Sequence, residues 1–143
     1  MDQFQGITYP YVNPYDNSFS QRVRQLAATS PMPASMQGWG LAIVPTINEV
    51  DRKLNEARKY IRAANTHRPI DKALADSFAN ISAQELQHSD ILSNAITSML
   101  SKLKAQGNTC YDTMSVVWKH TYEQQSKYAA WIRQMHADYK KLT

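Results

Sequence analysis

Residues 74–103 read LADSFANISAQELQHSDILSNAITSMLSKL, and the apolar side chains in this segment recur in steps of three or four. Such spacing is typical of one face of a long helix, because 3.6 residues complete a turn. The positions that share the face are Leu74, Phe78, Ile81, Glu85, His88, Leu92, Ile96, Met99 and Leu103. The pattern therefore predicts that Glu85 and His88 point into a helical core, where a carboxylate must be paired, ligated or protonated.

Capping signals predict a helix before this segment. Thr46 and Glu49 form a capping-box pattern directly after Pro45, so we expect a first helix over residues 46 to about 65. Its inner face would hold Ile47, Val50, Leu54, Ala57, Ile61 and Ala64.

Similar signals frame two longer helices. Pro69 suits the first turn of a second helix that ends near Gln106, where Gly107 is a typical C-terminal stop. Thr109 and Asp112 repeat the N-cap pattern and predict a third helix. Its inner face would hold Met114, Val117, Thr121, Gln124, Tyr128, Trp131 or Ile132, Met135 and Tyr139. We therefore expect an all-α fold, an antiparallel bundle of three long helices over residues 46–143.

These helices differ in expected length. At 1.5 Å per residue the second and third helices span roughly 50 to 57 Å, whereas the first spans only about 30 Å. The end of the hairpin near Ile96, Met99 and Leu103 would then lack cover from the first helix. Exposed apolar area of this size usually finds a partner, so we expect this end to be an interface.

Residues 1–45 have a different composition, rich in Tyr and Pro, which predicts an extended N-terminal arm. Phe19, Val23 and Leu26 recur at helical spacing, so residues 18–28 are a candidate short helix. The aromatic side chains expected to anchor the arm on another surface are Tyr9, Tyr11, Tyr15 and Phe19. The arm and the uncovered end together predict a homo-oligomer or a larger complex with other protein subunits.

Composition narrows the choice of partner and compartment. The 16 basic and 12 acidic residues give a formal charge of only +4, with the basic residues spread along the chain, so nucleic acid is not the expected partner. No apolar run is long enough to span a membrane, and the N-terminus lacks the features of a signal peptide. A single cysteine, Cys110, fits synthesis in the reducing cytoplasm.

Glu85 and His88 form a Glu-x-x-His pair, which ferritin-like di-metal bundles use to bind iron or manganese. Counted from the turn between the first two helices, Glu49 lies at the level of Glu85 and is a candidate third ligand. The alternative needs no cofactor. In it, Glu85 and His88 bond to each other and to Tyr128, Gln124 or Gln125, which makes a buried polar layer. The other histidines, His67, His120 and His136, are expected to be surface residues.

Several short motifs lie within residues 46–142: Glu56 to Tyr60 (EARKY), Leu74-Ala75, Phe78, Ile81 to His88 (ISAQELQH), Ala129-Ala130 and Tyr139. Together they resemble a family of small ferritin-like helical proteins of gut bacteria and their tailed phages. The resemblance implies ferritin-like hairpins. Its pattern has further histidines where this chain has Ser93, Tyr122 and Gln125.

Asn13-Pro14-Tyr15, Gln21-Arg22 and Gln25-Leu26 are in turn similar to the starts of small proteins encoded beside phage head and tail genes. This likeness implies docking onto a virion. The sequence therefore favours a non-enzymatic structural protein that is incorporated into a phage virion. The alternative is a ferritin-like metal-binding protein or oxidase that uses Glu85, His88 and Glu49.

Overall fold

The structure, a computed structural model, describes residues 34–107 and 111–142. Within these ranges the chain forms three helices and no strand: α1 (Ala34–His67), α2 (Lys72–Ala105) and α3 (Tyr111–Lys141). The expected all-helical bundle is confirmed. None of these helices combines the length and the apolar character needed to cross a membrane.

The buried positions of the helices alternate between steps of four and three residues, the heptad spacing of coiled coils. On α1 the buried apolar residues are Ile43, Ile47, Val50, Leu54, Ala57, Ile61 and Ala64. On α3 the same alternation links Met114, Trp118, Thr121, Gln125, Tyr128, Ile132, Met135 and Tyr139. On α2 the buried residues are Ala75, Ser82, Leu86, Ser89, Ile96, Leu100 and Leu103. Three seams of period 3.5 thus share one core.

Small residues let α1 and α2 approach closely. Ala57 on α1 and Ser82 on α2 are both fully buried, and the Ser82 hydroxyl donates to the Ala57 carbonyl at 2.5 Å. A side-chain bond to the backbone of the other helix requires this close approach, because a serine side chain is short. On one side of this contact Tyr60 of α1 packs on Phe78 of α2, and on the other side Lys53 of α1 pairs with Glu85 of α2. Earlier residues of α1 therefore contact later residues of α2.

The third helix packs with bulkier side chains, including Trp118, Tyr128 and Met135. Toward α1, the Tyr128 hydroxyl donates to Asn55 Oδ1 at 2.9 Å. Toward α2, the Tyr139 hydroxyl donates to Asp76 Oδ1 at 2.6 Å. Hydroxyl groups on α3 thus bond to both of the other helices.

The expected start of the first helix is wrong. α1 begins at Ala34, and Pro45 lies inside it, so residues 34–45 are helical and not part of an extended arm. Thr46 is not an N-cap, since its hydroxyl donates to the Ala42 carbonyl at 2.6 Å, one turn earlier in the same helix. The predicted arm before residue 34, including the helix over residues 18–28 and the anchors Tyr9, Tyr11, Tyr15 and Phe19, lies outside the described residues.

The second helix begins later than expected. Asp71 is its N-cap, with a carboxylate that accepts from the Leu74 amide at 3.1 Å, and Pro69 lies in the preceding turn. At the other end the predicted stop is confirmed: α2 ends at Ala105, and Gly107 has a φ of 68°. Thr109 lies outside the described residues.

The expectation that one end of the hairpin formed by α2 and α3 lacks cover is also wrong. α1 and α2 each contain 34 residues, so α1 is not the short helix that the sequence predicted. Ile96 and Leu103 are 0% and 1% exposed, and Met99 packs against the same core. Burial within the chain's own core removes the reason for expecting these residues to form an interface.

Candidate interaction surface

The first half of α2 is rotated relative to the sequence-based prediction. Leu74 and Ile81, expected in the core, are 41% and 36% exposed, and His88 is exposed as well. The buried positions are their neighbours Ala75, Ser82 and Ser89. The prediction that His88 points into the core is therefore wrong.

Glu85 and Glu49 each pair with a cation. Glu85 is half-buried on α2 and forms an ion pair with Lys53 Nζ on α1 at 3.1 Å. Glu49 accepts hydrogen bonds from its helix neighbour Arg52, including one at 3.0 Å from Nε, and these bonds lower the pKa of Glu49. Both carboxylates are thus neutralised by basic side chains.

No group of three or more His, Cys, Asp or Glu side chains is placed to hold a metal ion in the part of the chain that the structure describes. Glu49, Glu85 and His88 do not form such a cluster. The iron or manganese site therefore stays a sequence-based prediction.

A buried polar layer does form, but it joins α3 to α1 and not to α2. Gln125 Nε2 donates to Asp51 Oδ1 at 2.9 Å, and Tyr128 bonds to Asn55 one turn further along. Gln125 and Tyr128 were expected in a polar layer, whereas Asp51 and Asn55 were not. Their partners depend on how α1 and α3 align, which the pattern of either helix alone does not reveal.

A second polar contact connects all three helices. His136 on α3 lies 2.7 Å from the Ser82 hydroxyl through Nε2, and that hydroxyl donates to the Ala57 carbonyl. A serine hydroxyl has one proton, and that of Ser82 is donated to the Ala57 carbonyl. The His136 ring is therefore the donor in the other contact, through Nε2–H. Burial, and to a lesser degree the charge of Lys140, lowers the pKa of His136. The expectation that His136 is a surface residue is wrong, while His120 is exposed as expected.

A groove of about 430 Å³ lies where α2 contributes small residues to its seam. Ser89 and Ser93 line it from α2, and Gln125 and Arg133 line it from α3. Arg133 forms an ion pair with Asp90, another lining residue, at 3.0 Å. The groove is mostly polar. It is open because the serine side chains on α2 are too short to fill the space that a leucine would fill.

The outward face of α2 carries a continuous row of exposed side chains without formal charge. Eight exposed positions follow steps of three and four, and we call them the α2 stripe: Leu74, Ser77, Ile81, Gln84, His88, Ile91, Ala95 and Ser98. None of the eight is Asp, Glu, Lys or Arg. Ile91 is 58% exposed, and Ile70, in the turn one step before Leu74, is 81% exposed. A face that combines apolar residues with a lack of formal charge is typical of the centre of a protein interface.

Comparisons with protein-family models, curated proteins and solved structures found no match to this chain.

Proposed function

We propose that this chain is a non-enzymatic assembly protein, an antiparallel three-helix bundle that associates with a second copy of itself through the α2 stripe. The observation that carries the proposal is the stripe itself, eight exposed and uncharged positions at heptad spacing. A helix with such a face lacks half of a coiled-coil seam, and a partner helix would supply the other half.

The position of the bulky residues supports this proposal. Leu74 and Ile81 lie on the surface, while the small side chains of Ala75 and Ser82 occupy the core. Exposing large apolar side chains in place of small ones costs free energy in an isolated bundle, because their area stays in contact with water. Association would remove that area from water.

A second copy suits the stripe because the chain as a whole has a formal charge of +4. Two identical chains repel each other where their charged faces meet, but an uncharged face avoids this repulsion. A two-fold axis would place one stripe against the other, since the same patch then serves both partners.

A larger particle is a natural extension of this pairing. The Tyr/Pro-rich segment that contains Tyr9, Tyr11 and Tyr15 would supply a second contact. The likeness of residues 13–26 to the starts of small proteins encoded beside phage head and tail genes extends the proposal to a virion. A dimer built through α2 would present two such segments to one particle, which strengthens binding through effective concentration.

Native mass spectrometry of the full chain tests the proposed pairing. We expect a dimer at micromolar concentration, and we expect Ile81→Asn with Ile91→Asn to shift it to monomer without loss of helicity, since both side chains are exposed. Val116→Asn is the matched control, because Val116 is an apolar residue on α3 that is as exposed as Ile91 and lies away from the stripe.

A monomer at all concentrations would contradict the proposal. A dimer that survives the double substitution, or that Val116→Asn disrupts to the same extent, would contradict it as well.

A further inference from the structure

A shallow groove lined by basic side chains follows α1 where this helix faces α3. Its volume is about 390 Å³, and its polar lining is Asn55, Arg58, Lys59, Arg62 and Thr66 from α1 and Tyr128 from α3. Among the described residues that line it, none is Asp or Glu. Three positive charges therefore share one concave surface within about one and a half helical turns.

Arg58 packs against an aromatic side chain at the groove. Its guanidinium lies 5.3 Å from the centre of the Trp131 ring. The nearby Tyr128 hydroxyl donates to Asn55 Oδ1 at 2.9 Å. A cation whose rotamer is restricted loses less entropy when it binds an anion, so the contact with Trp131 prepares Arg58 for a ligand.

Arg62 extends the same positive field. It lies one turn after Arg58, a spacing that brings the two side chains to about 5–6 Å at their Cβ atoms. Burial raises the pKa of Tyr128, the Arg58 and Arg62 side chains oppose that rise, and the charge of Asp51 adds a smaller contribution to it. Both guanidinium groups therefore act on the groove wall that Tyr128 forms.

We propose that this groove binds the phosphate group of a small anionic molecule. A guanidinium presents planar pairs of N–H donors that match two phosphate oxygens, and Lys59 adds a third positive charge at the rim. Such a ligand would occupy the side of the bundle built from α1 and α3. The α2 stripe belongs to another helix, so the proposed association does not depend on this ligand.

The size and shape of the groove favour a small ligand over a polymer. The basic lining comes from a single segment, residues 58–62, with Tyr128 opposite, and the volume of about 390 Å³ holds a phosphate group and a modest attached moiety. A nucleic-acid surface neutralises several phosphates along the polymer, which needs a longer row of basic side chains than this groove offers.

Calorimetry with inorganic pyrophosphate at about 100 mM salt tests the site, with the Trp131 indole signal in the NMR spectrum as a local reporter. We expect Arg62→Gln to raise the dissociation constant by about tenfold, which is the range of one charge-assisted hydrogen bond. Lys59→Gln is also expected to raise the dissociation constant. Because Lys59 is exposed, this substitution should leave the fold intact. The matched control is Arg52→Gln, because Arg52 is an exposed cation on the same helix that does not line the groove.

Three results would each overturn the proposal. They are the absence of measurable binding up to about 10 mM pyrophosphate, an equal loss of affinity in the Arg52→Gln control, and binding of a DNA or RNA oligonucleotide with no response to pyrophosphate. Pyrophosphate binding that weakens in Arg62→Gln and Lys59→Gln but not in Arg52→Gln would support it.

Discussion

His136 connects the protonation of one side chain to the packing of three helices. Its Nε2 reaches the Ser82 hydroxyl at 2.7 Å, and burial lowers its pKa below the ordinary value of 6.5. The unfolded chain therefore binds a proton at this residue at a higher pH than the folded chain does. It follows that the contribution of His136 to stability is fully present above pH 6.5 and is lost as the pH falls from there toward the lowered pKa.

We predict that the free energy of unfolding of the natural chain decreases between about pH 7.5 and pH 5, and that His136→Gln reduces this decrease. Glutamine keeps a side-chain N–H donor but does not titrate in this range. Urea unfolding at the two pH values measures the difference. His120→Gln, an exposed position on the same helix, should retain the full pH dependence. An identical pH dependence in His136→Gln and the natural chain would contradict the assignment.

At the scale of the helix, Pro45 is expected to destabilise α1, because it lies inside this helix. Proline has no N–H for the carbonyl of residue 41, and its ring crowds that carbonyl, at a cost of about 3 kcal/mol in a helix interior. The Thr46 hydroxyl donates to the next carbonyl along the helix, that of Ala42, so it does not replace the bond that Pro45 removes.

Pro45→Ala is therefore expected to stabilise the protein by about 1–3 kcal/mol, since alanine restores the missing bond and is the best helix former. Thermal or urea unfolding measures this gain. Pro69→Ala is the matched control: Pro69 lies in the turn before α2, where the gain should be absent. If Pro45→Ala were neutral or destabilising, α1 would not extend back through this position.

The inner face of α1 was predictable from its sequence, because large apolar residues at heptad spacing are sufficient to identify it. All six predicted positions, from Ile47 to Ala64, are buried. On α3 most of the prediction is confirmed, although Trp118 and Gln125 are buried where Val117 and Gln124 were expected. Those misses are of one residue, which is the ordinary uncertainty in the rotation of a helix.

The sequence-based prediction put the wrong face of the first half of α2 in the core. It relied on bulky apolar residues, whereas helices that pack closely bury small residues at their contact. Seven-residue steps back from Leu103 and Ile96 lead to Ser89, Ser82 and Ala75, so the correct seam was present in the sequence as a heptad signal. The polar partners of α3 could not be found in this way. They depend on the alignment of two helices that are far apart in the chain, as the bond between Gln125 and Asp51 illustrates.

At the scale of the whole molecule, the rotation of α2 decides which of its side chains lie in the core and which lie on the surface. The small seam through Ala75, Ser82 and Ser89 faces α1 and α3, and the bulky α2 stripe faces outward and is proposed to receive a second copy. If α2 were turned by one residue, Glu85 and His88 would enter the core and the stripe would disappear. The rotation of α2 about its own axis therefore determines both the proposed association and the absence of a metal cluster among the described residues.

A matched pair of substitutions at adjacent positions measures that rotation directly. Ser82→Asp would put a carboxylate at a position that is 0% exposed and would break the bonds to Ala57 and His136, whereas Ile81→Asp would put it on a surface that is 36% exposed. Urea unfolding at low protein concentration gives the free energy of unfolding of each variant. We predict a loss of at least about 3 kcal/mol, or failure to fold, for Ser82→Asp, and a loss of less than about 1 kcal/mol for Ile81→Asp. The reverse order, with Ile81→Asp the more damaging substitution, would contradict the account.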